Sequence, residues 1–172
     1  MDCKENNGKQ NYYGWLATNQ EQWSKGNYAQ KVVELCVKYP NVYCDVSHLH
    51  QILNKNLPSG LVDQSNRSAF EIVRDRVITV IEEFPDFAKK IMYGSDWHMV
   101  KMLNRTDRFL EAFQKLYSHE KLLKYKDNFF YINALRWLNI PEFISRHIEE
   151  NPTFLNKKTI DYLTKLSTLP AQ

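Results

Sequence analysis

The feature that most constrains this chain is a repeated change of side-chain period. Tyr28, Val32, Leu35, Cys36 and Tyr39 recur at helical spacing behind Asn27, a suitable N-cap, and the run stops at Pro40. The period then shortens to two, with Val42, Cys44 and Val46 on one face and Tyr43, Asp45 and Ser47 on the other, which is the pattern of a strand over 42–47. His48 to Asn66, containing Leu57-Pro58-Ser59-Gly60, reads as a long loop, and loops of that length inside a domain are often functional. A second helix is predicted from about Ser68, with Phe70, Val73, Val77, Val80, Ile81 and Phe84 as its stripe and Pro85 as its stop. Ile91 to Ser95 is a short apolar run leading into Asp96, as expected of a strand buried on both faces in a parallel sheet. Helix, strand, helix, strand implies βα units joined by right-handed crossovers, hence an α/β fold.

Beyond Thr106, a good N-cap, the chain reads as helical over 107–117, roughly 128–138, 141–150 and 157–166, so the fold is expected to be helix-rich. Ahead of the first helix, Tyr12-Tyr13-Gly14-Trp15 to Trp23 reads as an irregular packed segment, and residues 1–11 as a polar, flexible tail. One domain over 1–172 is the expectation. Aromatic residues reach 13% and call for a sizeable core or buried interface. With 23 Lys+Arg against 20 Asp+Glu the net charge is +3, too near balance to suggest a nucleic-acid or membrane-surface protein. No apolar run approaches the roughly 20 residues of a membrane span, and no apolar stretch of a secretory signal follows Met1. Cys3, Cys36 and Cys44 cannot all pair within the chain and lack metal-ligand spacing, so reduced thiols and a cytoplasmic location are expected.

The sharpest local signal is Ile91-Met92-Tyr93-Gly94-Ser95-Asp96-Trp97. A carboxylate placed where an apolar strand ends projects from the carboxyl edge of the sheet, where α/β proteins bind ligands. By composition alone, a Ser-Asp pair after a strand also serves as a turn or a helix cap.

Three stretches in order, Pro40-Asn41-Val42-Tyr43-Cys44-Asp45-Val46-Ser47, then the Ile91–Trp97 run, then Ile132-Asn133-Ala134-Leu135-Arg136-Trp137-Leu138-Asn139-Ile140, resemble the closing third of the amidohydrolase-related family of metal-dependent hydrolases. The resemblance spans about Asn27 to Ile140. It implies a partial (β/α)8 TIM-barrel-like fold with the C-terminal strands and helices only, since such barrels take about 250 residues and this chain has 172. It also implies that Asp96 is catalytic, as a metal ligand or a partner of metal-bound water that shuttles its proton. The implied cofactor is a divalent metal, Zn or alternatively Mn, which brings the pKa of bound water down to about 7. The implied reaction is hydrolysis of a small amide, lactone or carboxylate substrate; some relatives use the same site for nonoxidative decarboxylation. The family's first-strand His-x-His pair would fall before Met1, so a missing N-terminal half or a homo-oligomer is expected to complement the chain.

His48-Leu49-His50 is itself a His-x-His after a strand, and histidines two apart on an extended segment share a face. Only one helix separates it from the Asp96 strand, leaving no room for six further barrel strands. His48 and His50 are therefore read as rim residues that touch substrate, as is His98, two positions after Asp96. Asp45 is read as a strand-end hydrogen-bonding group, and Asn133 and Arg136 as braces for the final βα loop. His119 and His147 receive no role, and Lys121 to Lys126 reads as a solvated face rather than an RNA contact. A different class of function is also open: a non-catalytic α/β interaction module that self-associates through an unpaired sheet edge.

Overall fold

The computed structural model describes residues 14–24, 26–47, 49–54, 57, 62–102, 106–150 and 155–167. The expected tail over 1–11 and His48 lie outside the described residues.

The segment containing Trp15 and Trp23 is more ordered than its composition suggested. A 3₁₀ turn at Gly14–Leu16 is followed by helix α1, Gln20–Ser24. Trp15 lies 5.5 Å from Trp23 and 6.1 Å from Phe87, ring to ring. Arg76 covers Trp23 at 4.8 Å and donates to the Ala17 carbonyl at 3.1 Å, which ties the segment to the later helix over Ala69–Glu83.

Helix α2, Tyr28–Lys38, starts as predicted: Asn27 accepts from the Ala29 amide at 2.8 Å and donates to the Gly14 carbonyl at 2.9 Å. Its buried face is Ala29, Val33 and Cys36, whereas Tyr28 and Leu35 of the predicted stripe are 79% and 48% exposed. The helix packs against the Gly14–Leu16 and Pro85–Lys89 turns, and it meets them with its smaller side chains. Helix α3, Ala69–Glu83, matches its prediction closely. Ser68 and Glu71 form a reciprocal capping box, which satisfies two of the amides a helix start leaves without partners. Val73, Val77, Val80 and Ile81 are buried, and the helix ends at Phe84 before the Pro85–Lys89 turn.

The strands run parallel, side by side, but are shorter than the sequence suggested. Strand β1 is Cys44–Asp45 and β2 is Ile91–Met92, with Cys44 opposite Ile91 and Asp45 opposite Met92. The expected strand over 42–47 is cut short by side-chain chemistry. Asp45 Oδ1 accepts from the Ser47 amide at 2.9 Å, and the Val46 carbonyl accepts from Leu49 at 3.1 Å, so the chain turns away. The Cys44 amide donates to the Lys90 carbonyl at 3.1 Å, so Lys90 and Met92 face β1 while Ile91 and Tyr93 face the other way.

That outer edge of β2 is occupied by the chain itself. The Tyr93 amide donates to the Phe129 carbonyl at 2.8 Å, and Asn133 Nδ2 donates to the Ile91 and Ala88 carbonyls at 2.8 and 2.9 Å. The described sheet therefore has two strands, and a barrel is not shown. Phe129 belongs to a π-helical turn, Asn128–Ile132, which leads directly into Asn133.

Helices complete the molecule: α4 Trp97–Met102, α5 Thr106–Leu116, α6 Glu120–Leu123, α7 Asn133–Trp137, α8 Ile140–Glu150 and α9 Lys157–Ser167. Behind β2 lies the aromatic core the composition called for. Tyr93 lies 5.6–6.2 Å from Phe109, Phe113, Phe129 and Phe130, and Tyr117 stacks on Phe129 at 4.1 Å. Among the described residues, no helix is long and apolar enough to cross a membrane.

Candidate functional site

The carboxyl ends of β1 and β2 bring two carboxylates to the same sheet edge. Asp45 is the last residue of β1 and is exposed. Its side chain lies directly over Gly94: a Cβ at that position would come within 2.9 Å of Asp45 Cγ and 3.2 Å of Oδ1. Only glycine admits this approach, so the Gly94 backbone and the Asp45 carboxylate are held against each other.

Two residues on, Asp96 is exposed and adopts φ 42°, the left-handed conformation that aspartate enters more readily than most side chains. The turn ends the extended segment after β2 and starts α4. Backbone conformations of this kind concentrate at functional sites. Asp96 thus lies beyond the carboxyl end of β2, at the turn into α4.

The predicted histidines are less gathered. His48 lies outside the described residues. His50 is half-buried at the start of a 3₁₀ turn, His50–Leu53, that follows β1. His98 is exposed on the first turn of α4, its ring stacked on Trp97 with centroids 3.6 Å apart. Among the described residues, no three His, Cys, Asp or Glu side chains converge as a set of metal donors. Tight divalent-metal sites need three or four such donors, so the described residues by themselves do not fit the divalent ion the family implies.

Asn133 braces a different place from the final βα loop it was assigned to: its fully buried amide fastens the end of the π segment to the base of β2, through the Ala88 and Ile91 carbonyls. Asp45 is the strand-end hydrogen-bonding group it was read as. Sequence reasoning missed its partner, Gly94, although a single glycine at the end of an apolar strand is a signal of close approach. It also passed over Lys90, whose ammonium lies 4.3 Å from the Tyr43 ring and donates to the Pro40 carbonyl. Burial lowers the pKa of that ammonium. A cavity of about 390 Å³ between α3 and α6, floored by Ile78, Ile81 and Leu122, shares no residue with this sheet edge.

No protein of characterised function and no solved structure matches the chain closely enough to be compared with it. The model of the amidohydrolase family matches residues 25–140, a span that contains α2, β1, α3, β2 and α7 with Asp45, Gly94, Asp96 and Asn133. With two thirds of its length matched in that span, this chain belongs to the amidohydrolase family.

Proposed function

We propose that the chain contributes the closing strands of a hydrolase site that acts on a small amide, lactone or carboxylate substrate, with Asp96 as its proton-transferring carboxylate. The carrying observation is the position of Asp96, in a left-handed turn at the carboxyl edge of two parallel strands, inside the span matched by the family. A carboxylate there takes a proton from an attacking water and returns it to the leaving group. His50 and His98, with His48, are the proposed substrate contacts at the rim, and the proposed cofactor is a divalent ion, Zn or Mn. Its histidine donors would come from outside the described residues, from an upstream segment or a second chain.

Turnover of an amide and lactone panel by the protein, with Zn²⁺ or Mn²⁺ added, is the direct test. Asp96→Asn is expected to lower kcat by about 10²-fold or more, the usual weight of a general acid–base group. Full activity in that variant, with the fold intact by circular dichroism, overturns the assignment.

A second reading is favoured by a specific observation. Among the described residues, the backbone groups of Tyr43 and Asp45 on the outer edge of β1 make no backbone hydrogen bond. In this reading two copies pair there in antiparallel fashion, Tyr43 of one against Asp45 of the other, which brings each Asp45 carboxylate toward the Lys90 ammonium held over Tyr43. Sedimentation should then show a dimer that dissociates on Tyr43→Pro, a change that removes an amide hydrogen from the outer edge and spares the Cys44 amide bonded to Lys90; a monomer at all concentrations rules this reading out.

A further inference from the structure

Away from the sheet edge, one face of α3 carries Ile78, Ile81 and Glu82 and forms one wall of the cavity of about 390 Å³; α6 and Tyr125 beyond it form the opposite wall. That volume lies near the lower end of the roughly 300–1,000 Å³ typical of small-molecule sites. Ile78, Ile81 and Leu122 are buried, so the floor is apolar and continuous with the core. The rim is charged and balanced, with Glu82 and Glu120 against Lys121 and Lys124, all four exposed.

These four charges are not equivalent. Lys121 Nζ lies 2.8 Å from Glu82 Oε1, a bridge from α6 to α3 in which each charge neutralises the other. Glu120 and Lys124 form no ion pair among the described residues, although their i, i+4 spacing would permit one. The Lys124 ammonium lies instead over the Tyr125 ring, 4.9 Å from its centroid. An apolar recess is thus bordered by one unneutralised carboxylate and one unneutralised ammonium, a single helical turn or about 5.4 Å apart along the axis. A purely anionic occupant would meet Glu120 and a purely cationic one would meet Lys124. A small zwitterion with an apolar branch suits the floor and both charges together.

We propose that this cavity binds a free amino acid with an aliphatic or aromatic side chain, held by its α-carboxylate at Lys124 and its α-ammonium at Glu120. The side chain lies on Ile78, Ile81 and Leu122 and is the source of the burial. Both ionic contacts are exposed and therefore modest, so the expected dissociation constant is on the order of 10⁻⁴–10⁻³ M. The site shares no residue with the edge that carries Asp96.

Titration of the isotope-labelled full chain with leucine and with phenylalanine, followed by amide chemical shifts, is the test. The expected result is saturable shifts centred on Ile81, Leu122 and Tyr125. N-acetyl-leucine lacks the ammonium and leucine methyl ester lacks the carboxylate, and each should bind about threefold or more weakly than leucine. Glu120→Gln should erase the preference for leucine over N-acetyl-leucine, and Lys124→Gln the preference over the ester. If either variant fails to fold, the comparison of the three ligands on the wild-type chain decides alone. No saturable shift with either amino acid, equal affinity for leucine and its two blocked derivatives, or tighter binding of octanoate than of leucine overturns the proposal.

Discussion

Gly94 carries more of the site than its size suggests. Its α-carbon faces the Asp45 side chain so closely that any Cβ would collide with the carboxylate carbon at 2.9 Å. The atoms in the way are the short, branched end of Asp45, itself tied to the Ser47 amide, and they have little freedom to withdraw. Gly94→Ala is therefore expected to cost about 1–3 kcal/mol, the usual range for overpacking. Because the atoms met, Asp45 Cγ at 2.9 Å, Cβ at 3.0 Å and Oδ1 at 3.2 Å, all belong to one side chain, Asp45→Gly, which removes all three, should recover most of that loss. A urea-denaturation double-mutant cycle measures the coupling, and additive losses would show that the contact does not set the position of Gly94. This pair was not legible in the sequence, because the register between strands whose paired residues lie 47 apart (91 − 44) is set by tertiary packing. Asp96 was legible, since an apolar run followed by a carboxylate is a local pattern that needs no knowledge of its neighbours.

Among the elements, α3 is the one whose boundaries follow from its own residues. A Ser68–Glu71 capping box starts it and Pro85 lies just past its end. Ahead of the cap, buried Asp63 accepts from the Arg67 side chain at 2.9 Å and from its amide at 2.8 Å, and Arg67 reaches on to the Thr18 carbonyl. These bonds hold the Asp63 carboxyl below the usual carboxylate range. A lowered folded-state pKa contributes stability that is fully present above the unfolded value of about 4 and is lost as pH falls through the lower folded value. Asp63→Asn should accordingly be less stable than the parent near neutrality, and the gap should close below about pH 4 in thermal melts recorded across that range. An unchanged gap down to pH 3 would mean that the loss reflects packing rather than charge. Helix α2 shows the opposite balance of local and tertiary information. Its cap and stop were readable, but its buried face was not, because large apolar side chains such as Tyr28 and Leu35 were assumed to point inward. The face that packs on two tight turns is made of Ala29, Val33 and Cys36 instead.

At the scale of the whole molecule, alternating helix and strand correctly announced two parallel strands with helices around them, and the wording of three segments announced the family. What the sequence could not announce was how the sheet ends. Asn133, with no exposed surface, replaces a neighbouring strand as the partner of the Ile91 carbonyl. Replacing it with leucine keeps the branching of the side chain, in bulkier form, but leaves the Ile91 and Ala88 carbonyls without their donor, at an expected cost of about 1–3 kcal/mol for each carbonyl that water does not reach. Chemical denaturation measures the loss, and hydrogen exchange at the Tyr93 amide should quicken in the same variant if Asn133 holds the π segment in place.

The same closure limits growth. A sheet with both sides available can add chains without end and become a filament, whereas one sealed on a single side saturates after one addition. With Phe129 and Asn133 standing along β2, the described sheet leaves only the edge of β1 open to a further strand.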